Sequence, residues 1–401
     1  MPQPTDVWDV AVIGAGPAGA SAALAAAPET KRVIILERSS IPRYKTCGGG
    51  LIGASIKTLP KGFSPPVRAS AATFTFSMRG RFERTRTSKG SVVRLVQRDE
   101  FDASLVNAAI AANVTVRQGV LVTRLTREND MVRITTRDHG DFYARIVVGA
   151  DGSAGRSSAY VGVVCDEVDL GLEVELAIPK ELSPVWADRI LIDWGSIPGS
   201  YGWVFPKGDA LSVGVIARRG NADMARAHLR DLLSRHHLDH IKPSISSGHL
   251  TRCRTEGSPL YRGRVLVAGD AAGLLDPWTR EGISFALRSG IAAGRAAAMA
   301  AEATSEAELT AAMTAYTADI SSTMGYEMLA GRAFLQAFTR HPWVFHMTIT
   351  LLPMAWDLFV HLVSGETNFA VIGRRRLIRL VLALLGSGGR RGTQGDVISV
   401  A

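Results

Sequence analysis

Cysteine is scarce in this 401-residue sequence: Cys47, Cys165 and Cys253 stand far apart, and no Cys-x-x-Cys pair occurs. That excludes a disulfide scaffold and argues against structural zinc and dithiol chemistry. An odd, sparse count fits a reducing cytosol. Lysine is scarce too, at 8 residues against 38 arginines, within 46 basic and 37 acidic residues. Arginine pairs readily with phosphate and carboxylate, so the net charge of +9 points to anionic ligands or an anionic membrane surface. A base composition rich in arginine codons accounts for it equally well, and nucleic acid is not an expected partner. The N-terminal region lacks a basic segment leading into a long apolar run, since the stretch from Val10 to Ala27 is broken by three glycines and a proline. The expectation is a cytoplasmic chain, with a peripheral position on the inner face of the membrane as a variant of it. With 46% hydrophobic and 21% charged residues, disorder and collagen-like structure are excluded, and the length suits two or three domains.

What is present begins with Asp9-Val10-Ala11-Val12-Ile13, a short apolar run leading into Gly14-Ala15-Gly16-Pro17-Ala18-Gly19 and an alanine-rich stretch. The order reads strand, glycine turn, helix. Gly14 permits the tight turn, Gly16 lets backbone approach a pyrophosphate, and Gly19 allows close helix–strand packing. Pro17 and Ala18 open a helix whose free N–H groups face that phosphate. A second apolar strand, Arg32 to Leu36, ends in Glu37 and Arg38, with Glu37 18 residues past Gly19. An acidic side chain there accepts hydrogen bonds from ribose hydroxyls. The pattern predicts dinucleotide binding.

Two later segments repeat a strand that runs into an aspartate. Val147 to Gly152 ends in Asp151-Gly152, and Val265 to Gly273 carries Gly269-Asp270 before small residues. Aspartates at such strand ends can bind ribityl or ribose hydroxyls. Glu281, Gly282 and Ile283 then precede a helix, whose first N–H groups suit the pyrimidine edge of a flavin. The order and spacing resemble the FAD-dependent superfamily that includes para-hydroxybenzoate hydroxylase, flavin halogenases and geranylgeranyl reductases, over nearly the whole chain. The resemblance implies FAD as cofactor. It also matches Arg98 to an arginine that opens a helix near the pyrophosphate, and Val122 to the backbone that meets the adenine. On their own these two read as a surface arginine and a strand valine.

Two segments narrow the choice. In Pro42 to Leu51, Cys47 precedes Gly48, Gly49 and Gly50, whose bare backbone can lie flat against a planar ring. The plainer reading is a flexible loop with an incidental thiol. In Pro198 to Pro206, a period of two puts Tyr201, Trp203 and Phe205 on one strand face; an aromatic core stripe is the alternative. Together they resemble the geranylgeranyl reductase family, with its Cys-Gly-Gly-Gly and P-x-x-Y-x-W-x-F-P segments. The match implies Cys47 beside the flavin, catalytic roles for Cys47, Tyr201 and Trp203, and Tyr201, Trp203 and Phe205 along an apolar substrate channel. One departure is Arg280, in Thr279-Arg280-Glu281-Gly282-Ile283, where the family commonly has glycine. Halogenases usually show W-x-W-x-I-P and a catalytic lysine; only Trp203 of such a pair is present, and no lysine stands in a matching context.

The expected fold class is α/β: a Rossmann-type FAD-binding domain (1–60, 92–160 and 255–320) with an inserted β-rich substrate domain (61–91 and 161–254) and a helical C-terminal region (321–401). His236, His237 and His240 read as a solvated helix end, and no metal site is expected. Residues 342–364 are apolar but hold His346, Pro353, Asp357 and His361, which argues against a membrane span. Arg374, Arg375, Arg376 and Arg379 flank an apolar helix that suits either an anionic membrane surface or a cap on the channel. The glycine-rich stretch 387–395 is expected to be disordered. The resemblance implies a reductase that saturates C=C bonds of a polyprenyl lipid or other isoprenoid, with NADPH or a reduced carrier protein as electron donor. Its rivals are a monooxygenase or halogenase acting on an aromatic or polyketide substrate, and a non-catalytic flavin sensor.

Overall fold

The computed structural model describes residues 6–386; the stretch 387–395 lies outside them. Strands from residues 7–149 and 261–267 form a mainly parallel sheet in the order Tyr261–Arg262, Val265–Val267, Asp141–Gly149, Val7–Ile13, Val33–Glu37 and Thr115–Gln118. The central strands are apolar because they lie in the core, with the helices Pro17–Ala26 and Ile283–Ala301 packed against them; Val10, Val12, Ile34 and Ile35 are fully buried. The hairpin Val122–Glu128 and Met131–Thr136 joins antiparallel beside Asp141–Gly149.

Glycine sets how closely the two principal helices approach. Pro17–Ala26 and Ile283–Ala301 pack through Gly290 and Gly294, where a Cβ would fall 2.3 Å from the Ala18 carbonyl oxygen and 2.1 Å from that of Ala22. No side chain larger than hydrogen fits there. The two helices each begin at a glycine, Gly16 and Gly282, and their close packing holds both N-termini at one edge of the sheet, outside the strand ends.

A second, seven-stranded sheet runs Ile245–Arg254, Cys165–Ala177, Ala210–Arg218, Tyr201–Pro206, Arg189–Trp194, Thr73–Met78 and Arg81–Thr87. It is antiparallel except where Arg189–Trp194 meets Thr73–Met78. Val67–Ala71, within the expected substrate-domain range, pairs instead with Val93–Val96 in a small sheet that also holds Gly50–Leu51. The C-terminal helices close one side of the large sheet: Phe359 meets Phe74 and Phe76 at ring distances of 5.1 and 5.4 Å, and Trp278 stacks on Phe334. No single described helix is long and apolar enough to cross a membrane, and the pair Pro342–Leu351 and Pro353–Val363 is bent by 96°.

Candidate active site

The glycine motif builds the first half of the site. Gly14, at φ +99, brings its Cα against the Ala150 carbonyl, and Gly19 packs on Gly14, so neither position tolerates a side chain. Gly16 faces open space apart from Arg43, 3.5 Å from where a Cβ would stand. The helix Pro17–Ala26 starts with no side-chain cap, leaving its first amides to a ligand phosphate. Glu37 is buried and holds the loop, accepting from Ala15 N–H at 2.7 Å and Ser39 N–H at 3.0 Å. Val122 is buried at the start of its strand, and nearby Val120 donates to the Glu37 carbonyl at 2.9 Å. Arg38 is exposed and forms no hydrogen bond or ion pair among the described residues. The Asp151 carboxylate turns to Ser157, taking its N–H at 3.1 Å and its hydroxyl. That places it at the start of the helix Arg156–Val161, with its backbone beside Gly14.

A ladder of charges runs from this end to Cys47. Arg43 lies 3.5 Å from both Glu37 and Asp102, and Asp102 is held by both arms of Arg98 at 2.8 and 3.0 Å. Burial opposes the charge of Arg98, but Asp102 and the Cys47 sulfur hold its pKa well above the ordinary value. Beyond lie Lys45, His249 and Asp270: Lys45 Nζ meets His249 Nε2, which stands 3.9 Å from Asp270. Burial pushes Lys45 down to about 8. Burial would raise Asp270, yet the nearby His249 and Lys45 keep it below the usual carboxyl range.

The large sheet supplies the floor of the second half. Its register sets Ser247, Glu173, Gly214, Trp203, Ile192 and Phe76 in one row, with His249, Gly171, Ile216, Tyr201, Trp194 and Met78 in the next. The period of two therefore sends Tyr201, Trp203 and Phe205 to the same face. Gly48 lies directly on that face, a Cβ there being 2.8 Å from Phe205 Cδ2 and 3.4 Å from Trp203 Nε1. Gly49, at φ +74, abuts the Val96 carbonyl. A cavity of about 570 Å³ is lined by Cys47 to Gly50, these three aromatics, Thr279 to Ser284, and Phe338, Phe359 and Phe369 from the C-terminal helices. Tyr201 donates to the Thr279 carbonyl, and burial raises its phenol pKa.

Gly282 and Ile283 N–H groups, at the start of their helix, donate to no described residue, while Ser284 N–H is taken by Glu281 at 2.6 Å. Burial pushes Glu281 up to about 8 and Asp276 to about 6. Arg280 sits at φ +55, a region that favours glycine, which supplies a physical reason for the usual residue there. Its side chain lines the cavity but is buried against Asp169 at 3.0 Å and the Trp278 carbonyl at 2.8 Å. Free amides at two helix starts, a bare glycine backbone between them and an acid at the strand end fit a flavin dinucleotide.

A family model described as an FAD binding domain matches residues 7–323. The chain belongs to this family of FAD-dependent oxidoreductases. FAD is its cofactor. Digeranylgeranylglycerophospholipid reductase 2 of Methanococcoides burtonii is 30% identical over 305 residues, covering 72% of this chain and 74% of its own, and the chain falls in the geranylgeranyl reductase group. The fold matches a geranylgeranyl bacteriochlorophyll reductase-like protein of Thermoplasma acidophilum (TM-score 0.72, 21% identity, 96% of this chain and 97% of that one). A flavin-dependent brominase has the same fold (TM-score 0.72, 18% identity, 95% and 97% coverage).

Four charged groups at the site escape a reading of the sequence: Lys45, His249, Lys207 and Glu173. Lys207 is 2% exposed, with its ammonium 2.9 Å from Glu175, 3.1 Å from the Cys47 carbonyl and 3.9 Å from Glu173. Glu173 lines the cavity at 1% exposure, and its Oε2 has no hydrogen-bond partner among the described residues. Its Oε1 is 3.4 Å from the Tyr44 hydroxyl. Burial raises the Glu173 pKa to about 7 against the pull of Lys207.

Proposed function

We propose that this protein saturates isolated C=C bonds in a polyprenyl chain carried by a lipid or other isoprenoid. The observation that carries the reading is the apolar cavity shared by Cys47 to Gly50, the Tyr201/Trp203/Phe205 face and the Thr279 to Ser284 turn. Its aromatic walls suit a hydrocarbon, and each buried five-carbon isoprene unit contributes about 4 kcal/mol. The relative named as a digeranylgeranylglycerophospholipid reductase supports the same substrate class. When bound, reduced FAD would supply hydride. Gly14 to Gly19, Glu37 and the amides of Gly282 and Ile283 would hold it.

The chain's own residues then have three tasks. Protonating an unactivated alkene leaves cation-like carbon, which the faces of Trp203 and Tyr201 stabilise. The C-terminal aromatics exclude water that would otherwise capture such a carbon. The single proton, placed on one alkene carbon while the other takes hydride, must come from the chain. Tyr201 is poorly suited, being committed to Thr279 and raised by burial. Glu173, whose carboxyl burial pushes up to about 7, lies in the cavity wall, and Tyr44, 39% exposed, stands between that carboxyl and solvent. Cys47 lies at the same wall. In the test, dithionite-reduced protein receives a polyprenyl lipid and mass spectrometry reads the product. A gain of two hydrogens per reduced bond is expected; a gain of oxygen or halide, under air, would favour the chemistry of the brominase-like fold instead.

A further inference from the structure

The C-terminal helix Arg376–Gly386 has two apolar faces and uses one. Ile378 and Leu382 pack on the cluster of Phe334, Phe369 and Ile372, and Phe369 also lines the cavity. Leu377, Leu380 and Val381 project the other way, 71, 58 and 39% exposed. Positions 377, 380 and 381 fall on one stripe by the helical period. Arg374, Arg375, Arg376 and Arg379 are all exposed beside it, and none forms an ion pair among the described residues. Residues 374–386 contain no acidic side chain. Tyr326, 51% exposed, lies under Arg374 at 5.7 Å.

We propose that this face docks the protein on an anionic phospholipid bilayer. Leucine and valine in a ring of arginines match the two layers such a surface presents, acyl chains beneath and phosphates above. The same arginines would repel a second copy of the chain placed on the stripe. They would suit nucleic acid, but the aliphatic side chains between them have no base to pair with or stack on. The position adds the second argument. The cavity lining includes Glu366 and Val371, both exposed, so the cavity reaches the surface within a few residues of Arg374. A membrane held there would face its mouth. The proposal goes beyond the reductase reading and stands without it, since docking is measured without turnover.

The test uses the full-length FAD-bound protein and flotation with phosphatidylcholine vesicles, with and without phosphatidylglycerol. The wild type is expected to float with the anionic vesicles alone and to lose binding in high salt. Exchanging Arg374, Arg375, Arg376 and Arg379 for glutamine should weaken binding by up to roughly fivefold per residue. A Leu377→Ser/Leu380→Ser/Val381→Ser variant should also fail to float. Unchanged FAD content and melting temperature in both variants separate lost docking from lost folding. Equal flotation on neutral vesicles, wild-type flotation by either folded variant, or binding to DNA without flotation would overturn the proposal.

Discussion

Trp203 lies across the bare backbone of Gly214, where a Cβ would fall 2.2 Å from Trp203 Cζ2. The two residues are cross-strand partners, and Trp203 Nε1 donates to Ser212 at 3.0 Å. The missing side chain on one strand thus sets the ring height on the next. Gly214→Ala should push the indole into the cavity at a cost of about 1–3 kcal/mol, lowering lipid turnover while FAD content is kept. Trp203→Ala should cost about 3–5 kcal/mol and lower turnover further. Thermal unfolding and flavin absorbance on the same samples check both; a Gly214→Ala protein with normal turnover would mean that the indole position is not limiting.

Gly294 makes a similar demand between helices. A Cβ 2.1 Å from the Ala22 carbonyl oxygen meets backbone that cannot swing aside, so Gly294→Ala must part the helices that begin at Gly16 and Gly282. The expected outcome is loss of bound FAD, with Kd raised at least tenfold in a fluorescence titration. Ala300→Gly, a change on the same helix, serves as control and should lower stability by about 1 kcal/mol with little effect on Kd.

Arg280 poses a contest between strain and charge. Its left-handed backbone costs about 1–3 kcal/mol, so Arg280→Gly relieves strain. The same change strands Asp169, whose side chain is 7% exposed, and an uncompensated buried charge costs about 3–5 kcal/mol. Charge should win: the single variant is less stable than wild type, and Arg280→Gly/Asp169→Asn recovers most of the loss. Urea unfolding of the three proteins decides the order, and a stabilised single variant would reverse the argument.

The parts of the site legible in the sequence are those whose geometry is local. Gly14 to Gly19 and Glu37 follow from one strand–turn–helix unit, and the shared face of Tyr201, Trp203 and Phe205 from a single strand. Glu173 was not legible. In the strand Cys165–Ala177 it alternates with Leu172 and Val174, so the pattern assigns it to a wet face. That face is covered only because residues 44–50 fold over it, and Lys207 is buried for the same reason. Asp151 shows a contact the pattern does not announce: its carboxylate accepts from Ser157, six residues on.

Three buried acids make stability depend on pH. Glu173, Asp276 and Glu281 are pushed up to about 7, 6 and 8, so the folded chain favours their protonated forms. Below about pH 3 both states are protonated and no penalty arises. As pH rises from there to 8, the unfolded state loses these protons first. Each acid then lowers stability by about 1.4 kcal/mol for every tenfold by which burial weakens it. Asp193 and Asp270, held low, act in acid below this range, and His236 and His346, which burial holds below the usual imidazole range, offset part of the fall between about pH 5 and 7. The FAD-free protein should therefore melt at a lower temperature at pH 8 than at pH 5, and Glu281→Gln should flatten the slope. A melting temperature that rises over this range would contradict these environments.

Glu173 ties the same chemistry to turnover. Tyr44 stands at its Oε1, Lys207 3.9 Å away and Glu175 beyond Lys207, while Oε2 is buried in the cavity wall with no hydrogen-bond partner among the described residues. A carboxyl that ionises near 7 gives up its reactive proton above that value. If it protonates the alkene, lipid reduction should hold steady in mild acid and fall above pH 7. Glu173→Gln keeps the shape and removes the acid, so turnover should drop by about 10²–10⁴-fold with FAD content unchanged and the break near pH 7 gone. Infrared difference spectroscopy across pH 5 to 9 should show one carboxylic C=O band that vanishes with a midpoint near 7 and is missing from Glu173→Gln, a variant in which the bands of Asp276 and Glu281 persist. A variant that retains both activity and pH profile would move the proton to Cys47, where Cys47→Ser is then the deciding substitution: it holds the volume and replaces the thiol with a hydroxyl far too weakly acidic to give up a proton in the working range.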